Sequence, residues 1–470
     1  MEILNKPYKE RPKDIWKYVD EDKHQKHVMV SINSAKTEEI DDRIVYMEDL
    51  EKRKEVYGIC GECNEPGTGY YWCRPCNAKR FKENFKNWTS GNKDIDELIQ
   101  HSQLNAVYFS KSIWPERYIE YWDIENQKWK KITKFKVALK SLDNSSDIRT
   151  DFLNEVKSYL QIHLYNVIKC HGITQDPNTK GYMMVLKYCE GGNLRNYYLN
   201  NNDYDLTVLQ LLRIATGLLD IHNADKVHKD FHSGNILHDI GIYISDLGMC
   251  QPVNNEEEKS GKREGVYGIL PYMAPEILRG YQYTKAADIY SFGIVMNEFL
   301  SEEIPFNDIP HDYTLAIEIC KGLRPRISED VPKLFADLIM KCWDAKLENR
   351  PTVKELYQVI TKLHKEQWKT GGEFDSQMYK YKKIRNKVKN GSNKNKSENI
   401  KTHPQAIYTS RLLNFKNLPE PVNSSGLSSF KVNSDAVPSV STNLISECLD
   451  CLVNIDLAIN PRPMKLAKIK

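Results

Sequence analysis

Apolar and polar residues alternate along 106–114 (AVYFSKSIW) and 135–142 (FKVALKSL), the period of half-buried strands, with a charged, Trp-rich connection through Trp122 and Trp129 between them. The period then lengthens. In 149–162 (RTDFLNEVKSYLQI), Phe152, Val156, Tyr159 and Leu160 stand at i, i+4, i+7 and i+8, one face of a helix. The run 181–198 (GYMMVLKYCEGGNLRNYY) reads as a strand ended by Gly191 and Gly192, and 206–226 has the periodicity of a long buried helix. Phe81, Phe85 and Trp88 sit at helical spacing in a basic stretch, which predicts an amphipathic connector that packs rather than a nucleic-acid surface. Both ends lack such patterns. Residues 1–55 are polar and charged, and 365–470 is rich in Lys, Asn and Ser, which predicts a disordered tail.

At 470 residues the chain can bury a large core, and 67 Lys and Arg against 64 Asp and Glu give no argument for a nucleic-acid or membrane partner. No signal-like amino terminus and no apolar run near 18 residues is present, so the expectation is a cytoplasmic chain. Among the 11 cysteines, Cys60 and Cys63 (CGEC) and Cys73 and Cys76 (CRPC) form two close pairs within 56–90. Two such turns can share one tetrahedral Zn²⁺, which would be structural because four thiolates leave no open position; reduced thiols in a surface loop are the equal alternative. Cys448 and Cys451, with no second pair beside them, read as free thiols.

The chemistry gathers at 227–237 (VHKDFHSGNIL) and at 244–250 (ISDLGMC). Asp230, Asn235 and Asp246 offer hard oxygen atoms of the kind Mg²⁺ takes alongside phosphate oxygens. With "VALK" ending at Lys140, "HKD", Asn235 five residues after Asp230, "DLG" and "APE" in that order, the chain resembles the protein kinase superfamily, in particular its tyrosine-kinase-like group.

The resemblance implies an α+β, two-lobed kinase fold over 104–364, with a small β-rich lobe on a five-stranded sheet minus its usual first hairpin and a large helical lobe. It implies transfer of the γ-phosphate of ATP, with Mg²⁺, to a hydroxyl of a protein substrate, serine or threonine by the habit of that group. Asp230 would be the base, Asn235 and Asp246 the Mg²⁺ ligands, and Lys140, paired with Glu155, the phosphate contact. Leu186 would guard the adenine pocket, and the backbone of Lys187, Tyr188 and Cys189 would meet the adenine edge. Glu276 with Arg350, and Asp288, would brace the large lobe, while Ser260 and Tyr267 stand as activation-loop phosphosites that could order the loop against Lys229. His228 would be a packed core histidine. Departures are plain as well: Lys229 and Leu247 stand where the family usually has arginine and phenylalanine, and His232 and Ile269 where its serine/threonine members usually have lysine and threonine. No glycine occurs from 92 to 171, so the Gly-rich phosphate loop is missing or rebuilt. That gap supplies the alternative, a pseudokinase scaffold; a zinc-ribbon adaptor for nucleic acid is the weaker third reading, against the neutral charge.

Overall fold

The computed structural model describes residues 16–20, 23–25, 27–28, 43–87, 89–107, 118–126, 128–132, 136–141, 150–161, 166–176, 178–179, 181–200, 204–252, 265–369, 371–391 and 402–423. They divide into two compact units, one drawn from 1–150 and 169–188 and the other from 151–168 and 189–448.

The first unit holds α1 (Leu50–Tyr57), α2 (Arg74–Asn84), α3 (Lys93–Leu104) and strands β1 (Tyr118–Asp123), β2 (Lys128–Ile132), β3 (Val137–Ser141), β4 (Cys170–Gln175) and β5 (Tyr182–Lys187). Asn92 caps α3 by accepting from the Asp94 and Ile95 amides, and Asp49 caps α1 through the Lys52 amide. The described strands make a three-stranded antiparallel sheet in the order β3-β5-β4, the number left when the family's five-stranded sheet lacks one hairpin, and a separate β1-β2 hairpin. The hairpin has another partner. Trp129 of β2 stacks on Phe81 of α2 at 5.1 Å between ring centroids and on Trp72 at 6.0 Å, and Trp72 is buried with its indole N–H donating to the Ala106 carbonyl at 2.8 Å. The aromatic spacing of the basic stretch thus does pack: Phe81 is core, Phe85 lies against it, and Trp88 falls outside the described residues.

The second unit is mostly helical: α4 (Thr150–Gln161, counted here from Asp151), α5 (Leu194–Asn200), α6 (Thr207–Asn223), α7 (Pro275–Leu278), α8 (Lys285–Ser301), α9 (Tyr313–Cys320), α10 (Lys333–Cys342), α11 (Val353–Glu366) and α12 (Glu373–Gly391). Short strands fill the gaps: β6 (Lys226–Val227) pairs with β9 (Gln251–Pro252), β7 (Ile236–His238) with β8 (Ile242–Ile244), and β10 (Val266–Gly268) with β11 (Arg411–Leu413). α8 is buried nearly all round, which is why its sequence shows a continuous apolar run rather than a stripe. On α4 the expected face holds at Val156 and Tyr159, both buried; nothing is described of the Phe152 and Leu160 side chains.

One expectation is corrected by packing. Past residue 365, where composition predicts disorder, α12 buries Phe374, Met378, Tyr381 and Arg385, a stripe at i, i+4, i+7 and i+11 within a Lys-rich stretch. Beyond it, residues 402–423 lie along the same unit, with Leu413 and Leu418 buried. Residues 424–470, including Cys448 and Cys451, are outside the described residues.

Candidate functional site

The β7-β8 hairpin explains why residues eleven apart in sequence share one site. Ile236 pairs with Ile244, so Asn235, just before β7, and Asp246, two residues after β8, emerge at the same end. The Ser245 amide and hydroxyl both donate to the Asn235 carbonyl, at 2.8 and 2.9 Å, and lock that end.

The preceding loop is held from beneath by one buried carboxylate. Asp288, at the start of α8, accepts from the amides of His228 at 2.8 Å and Lys229 at 3.1 Å, and lies 2.9 Å from His222 Nε2. This offsets the cost of the left-handed conformation at Lys229, whose φ is 70°. His228 is fully buried. Its Nδ1 accepts from the Asp230 amide at 3.3 Å, so the proton resides on Nε2, which donates to the Ser245 carbonyl at 3.0 Å and ties the loop to the strand before Asp246. It is the packed core histidine that the sequence suggests. Lys229 has a local partner in this structure, the Gln251 side chain, with its ammonium 5.7 Å from the centre of the Tyr283 ring.

Asp230 is buried beside these supports. Asn235 donates from Nδ2 to the Asp230 carbonyl at 2.9 Å and to Oδ2 at 3.3 Å, and the Ser410 hydroxyl donates to the same Oδ2 at 2.6 Å. His232 Nδ1 accepts from the Gly234 amide at 3.1 Å, which puts its proton on Nε2, 3.6 Å from Asp230 Oδ2. That distance is longer than a hydrogen bond but close enough for a favourable electrostatic contact. Burial pushes the Asp230 carboxyl up; the His232 ring, the Ser410 hydroxyl and His228 outweigh it and hold the group below its ordinary value.

Asp246 adopts a φ of 60°, and its amide donates to the Tyr159 hydroxyl at 3.2 Å. Its Oδ1 accepts from the Gly248 amide at 3.4 Å. Gly248 is confined: a Cβ there would lie 3.3 Å from Glu155 Oε2, so buried Glu155 of α4 borders the turn after Asp246. Leu247 is fully buried as an apolar plug. Asp230, Asn235 and the Asp246 turn are therefore brought together in one unit, with Glu155 beside them.

Lys140 belongs to the other unit, on β3, where it pairs in register with Met184 of β5. Leu186 and Lys187 end β5; Leu186 is buried and the Lys187 amide donates to the Lys169 carbonyl at 2.9 Å. Tyr188 closes that unit's share of the chain, and buried Cys189 begins the second, its carbonyl accepting from the Gly192 amide at 3.2 Å.

The braces are present. Arg350 grips Glu276 with two hydrogen bonds of 2.7 and 2.8 Å. Sequence reasoning missed a second buried cluster, in which Glu298 accepts from Arg195 at 3.0 Å, Tyr198 at 3.0 Å, Ser233 at 3.0 Å and Tyr272. These residues are 26 to 103 positions from Glu298, so no local spacing marks them. Tyr159 and Ser410 were missed for the same reason. Ser260 lies outside the described residues, whereas Tyr267 is exposed on β10 and buried Ile269 follows it.

In the first unit the four cysteines converge. Cys60 Sγ is 3.9 Å from Cys76 Sγ, Cys63 Sγ is 3.6 Å from Cys73 Sγ, and all four sulfurs lie within 4.8 Å of one another. A tetrahedron with Zn–S bonds of 2.3 Å has edges of about 3.8 Å, so the donor set fits a zinc ion and is far too open for disulfides. Cys73 stands at the N-cap position of α2, with no side-chain capping bond, and Cys76 lies in its first turn, where the helix dipole favours thiolates. A hydrogen bond from Cys73 holds Cys60 down to about 5, while burial and the Cys60 charge push Cys76 up to about 12. A dication at the centre would let all four thiolates coexist.

Comparison with known proteins agrees with this geometry. The family model described as protein tyrosine and serine/threonine kinase matches residues 120–360, more than half of the chain. The dual specificity protein kinase shkA of Dictyostelium discoideum is 32% identical over 238 residues, covering 48% of this chain and 44% of its own length. Ephrin type-A receptor 5 of Gallus gallus is 30% identical over 240 residues, covering 49% of this chain and 23% of its own. The chain thus spans less than half the length of either relative. A structural set of this kind, inside a family match that runs over both units, shows that the chain belongs to the protein kinase family.

Proposed function

We propose that the chain is an active ATP-dependent kinase that phosphorylates serine or threonine hydroxyls. The observation that carries this reading is the placement of Asp230: a buried carboxylate whose Oδ2 accepts from Asn235 and Ser410, with oxygen-bearing Asn235 and Asp246 at the adjoining hairpin end. Asp230 Oδ2 is the atom that receives the acceptor's proton, and the observed 2.6 Å contact from a serine hydroxyl is within the reach a general base needs. Asn235 and Asp246 are the residues suited to Mg²⁺, and Lys140 with Glu155 to the nucleotide phosphates. Leu186 and the backbone of Lys187 to Cys189 are the residues suited to the adenine. Bound ATP and Mg²⁺ supply the phosphoryl group and neutralise its charge. His232 stands beside Asp230 and favours its charged form. Zn²⁺ on Cys60, Cys63, Cys73 and Cys76 has a structural part only. The substrate proposed is a protein and the location proposed is the cytoplasm; no described helix is long and apolar enough to cross a membrane.

The pseudokinase reading is favoured by one observation, the stretch from 92 to 171 without glycine. Two measurements separate them. ATP–Mg²⁺ raises the melting temperature if nucleotide binds at all, by the logarithmic law for ligand stabilisation. Asp230→Asn lowers phosphoryl transfer by roughly 10²–10⁴-fold, the usual share of a positioned base, while leaving the thermal shift with ATP–Mg²⁺ in place. Transfer at the wild-type rate in that variant refutes the role given to Asp230.

A further inference from the structure

Residues 402–423 cross the second unit in the manner of a bound peptide. β11 adds antiparallel to β10 within the activation segment, with Arg411 opposite Gly268, Leu412 opposite Tyr267 and Leu413 opposite Val266. Upstream, the Tyr408 hydroxyl donates to the Pro305 carbonyl at 2.7 Å and its ring lies under the Arg195 guanidinium at 4.7 Å. Downstream, Arg279 pairs with Glu420, and the Val422 amide donates to the Cys320 carbonyl at 2.9 Å. Between these anchors comes Ser410, with its hydroxyl 2.6 Å from Asp230 Oδ2.

From this we propose that Ser410 is a phosphorylation site of the chain's own activity, modified within the same molecule, and that 402–423 is the strap that presents it. The inference rests on the kinase reading above. A segment serving only to fill the groove needs no hydroxyl at that position; a serine donating to the carboxylate is an acceptor already aligned. Added strands gain affinity from main-chain hydrogen bonds, and tethering to the same chain raises the local concentration of the acceptor. In the step, Ser410 Oγ forms a bond to the γ-phosphorus of a nucleoside triphosphate as the bond from that phosphorus to the diphosphate oxygen breaks. The hydroxyl proton goes to Asp230, and the diphosphate leaves. The product carries a phosphate of charge near −2 against the Asp230 carboxylate, so the strap is repelled and the acceptor site opens to other proteins.

The test uses the full chain. Incubated with ATP–Mg²⁺ and mapped by mass spectrometry, it acquires phosphate on Ser410 with a first-order rate that does not change on dilution; Ser410→Ala and Asp230→Asn lose that phosphopeptide. Leu413→Asp places a charge on the buried side of β11, slows Ser410 modification at least about tenfold, and leaves the chain able to phosphorylate a synthetic peptide copying residues 404–417. Independently of turnover, amide exchange at 411–413 is protected without nucleotide and becomes fast in Ser410→Glu. Phosphate on the peptide but none on the chain's Ser410 overturns the proposal and leaves the kinase reading intact. A per-molecule rate rising with protein concentration overturns transfer within one molecule, and unprotected amides at 411–413 overturn the strap. Transfer to neither acceptor removes the kinase reading and this inference with it.

Discussion

At the scale of single residues, the site was legible where a side chain works through its immediate sequence neighbours. Asp230, Asn235 and Asp246 are grouped by a tight loop and a short hairpin, so their spacing carries their geometry. Asp288 is 58 positions from Asp230 and was recognisable only because its helix resembles the family's, since no local spacing ties it to the loop that it supports. Residues that meet only through tertiary packing, such as Tyr159 with Asp246, leave no such trace. His171 on β4 has a measurable consequence of its own. Its ring nitrogens are shut away from solvent, and burial, with the charges of Lys169 and Lys187, pushes its pKa down to about 3. The unfolded chain, titrating near 6.5, then binds a proton that the folded chain refuses. The contribution of this site to stability is therefore complete above about pH 6.5 and is lost progressively as pH falls toward 3. His171→Leu should narrow the difference in melting temperature between about pH 7.5 and about pH 5, read by thermal denaturation; an unchanged difference means His171 titrates alike in both states.

At the scale of elements, the cysteine turns and the β1-β2 hairpin act as one piece. The pairs were visible as motifs, but their coupling to the hairpin was not, since it runs from Trp72 and Phe81 to Trp129, which is 48 positions beyond Phe81 and shares no period with them. The aromatic cluster that joins them, Trp72, Phe81 and Ala106 with Phe85 and Trp129 against it, is small, and a metal beside it would contribute to holding the segment folded. We expect one zinc per chain by elemental analysis. Stripping it with a chelator, or replacing Cys73 with serine, should expose Trp129 and Trp72 to solvent, seen as a red shift of tryptophan emission. Full retention of the native spectrum without metal would leave the thiols a spectator role.

At the scale of the whole molecule, the stretch from 365 to 423 shows how composition misleads. Lys and Asn dominate it, and average polarity hides four buried positions on α12 that recur at helical spacing. The strap is still harder to foresee, because β11 is held by backbone bonds that any sequence can make. Arg385 tests whether α12 belongs to the cooperative second unit. It is buried, donates to the Ser301 carbonyl at the end of α8 at 2.8 Å, and faces Asp330 with hydrogen-bonding contact at 2.9 Å. Removing one member of a buried pair strands the other's charge, at a cost of about 3–5 kcal/mol, whereas an exposed pair is worth roughly 0–1 kcal/mol. Arg385→Met should therefore lower the opening free energy of α8 amides in native-state hydrogen exchange by the larger amount, and the double variant with Asp330→Asn should recover part of it because no lone charge remains. A loss near the surface value, with no recovery, would make α12 an appendage that folds on the unit without being part of it.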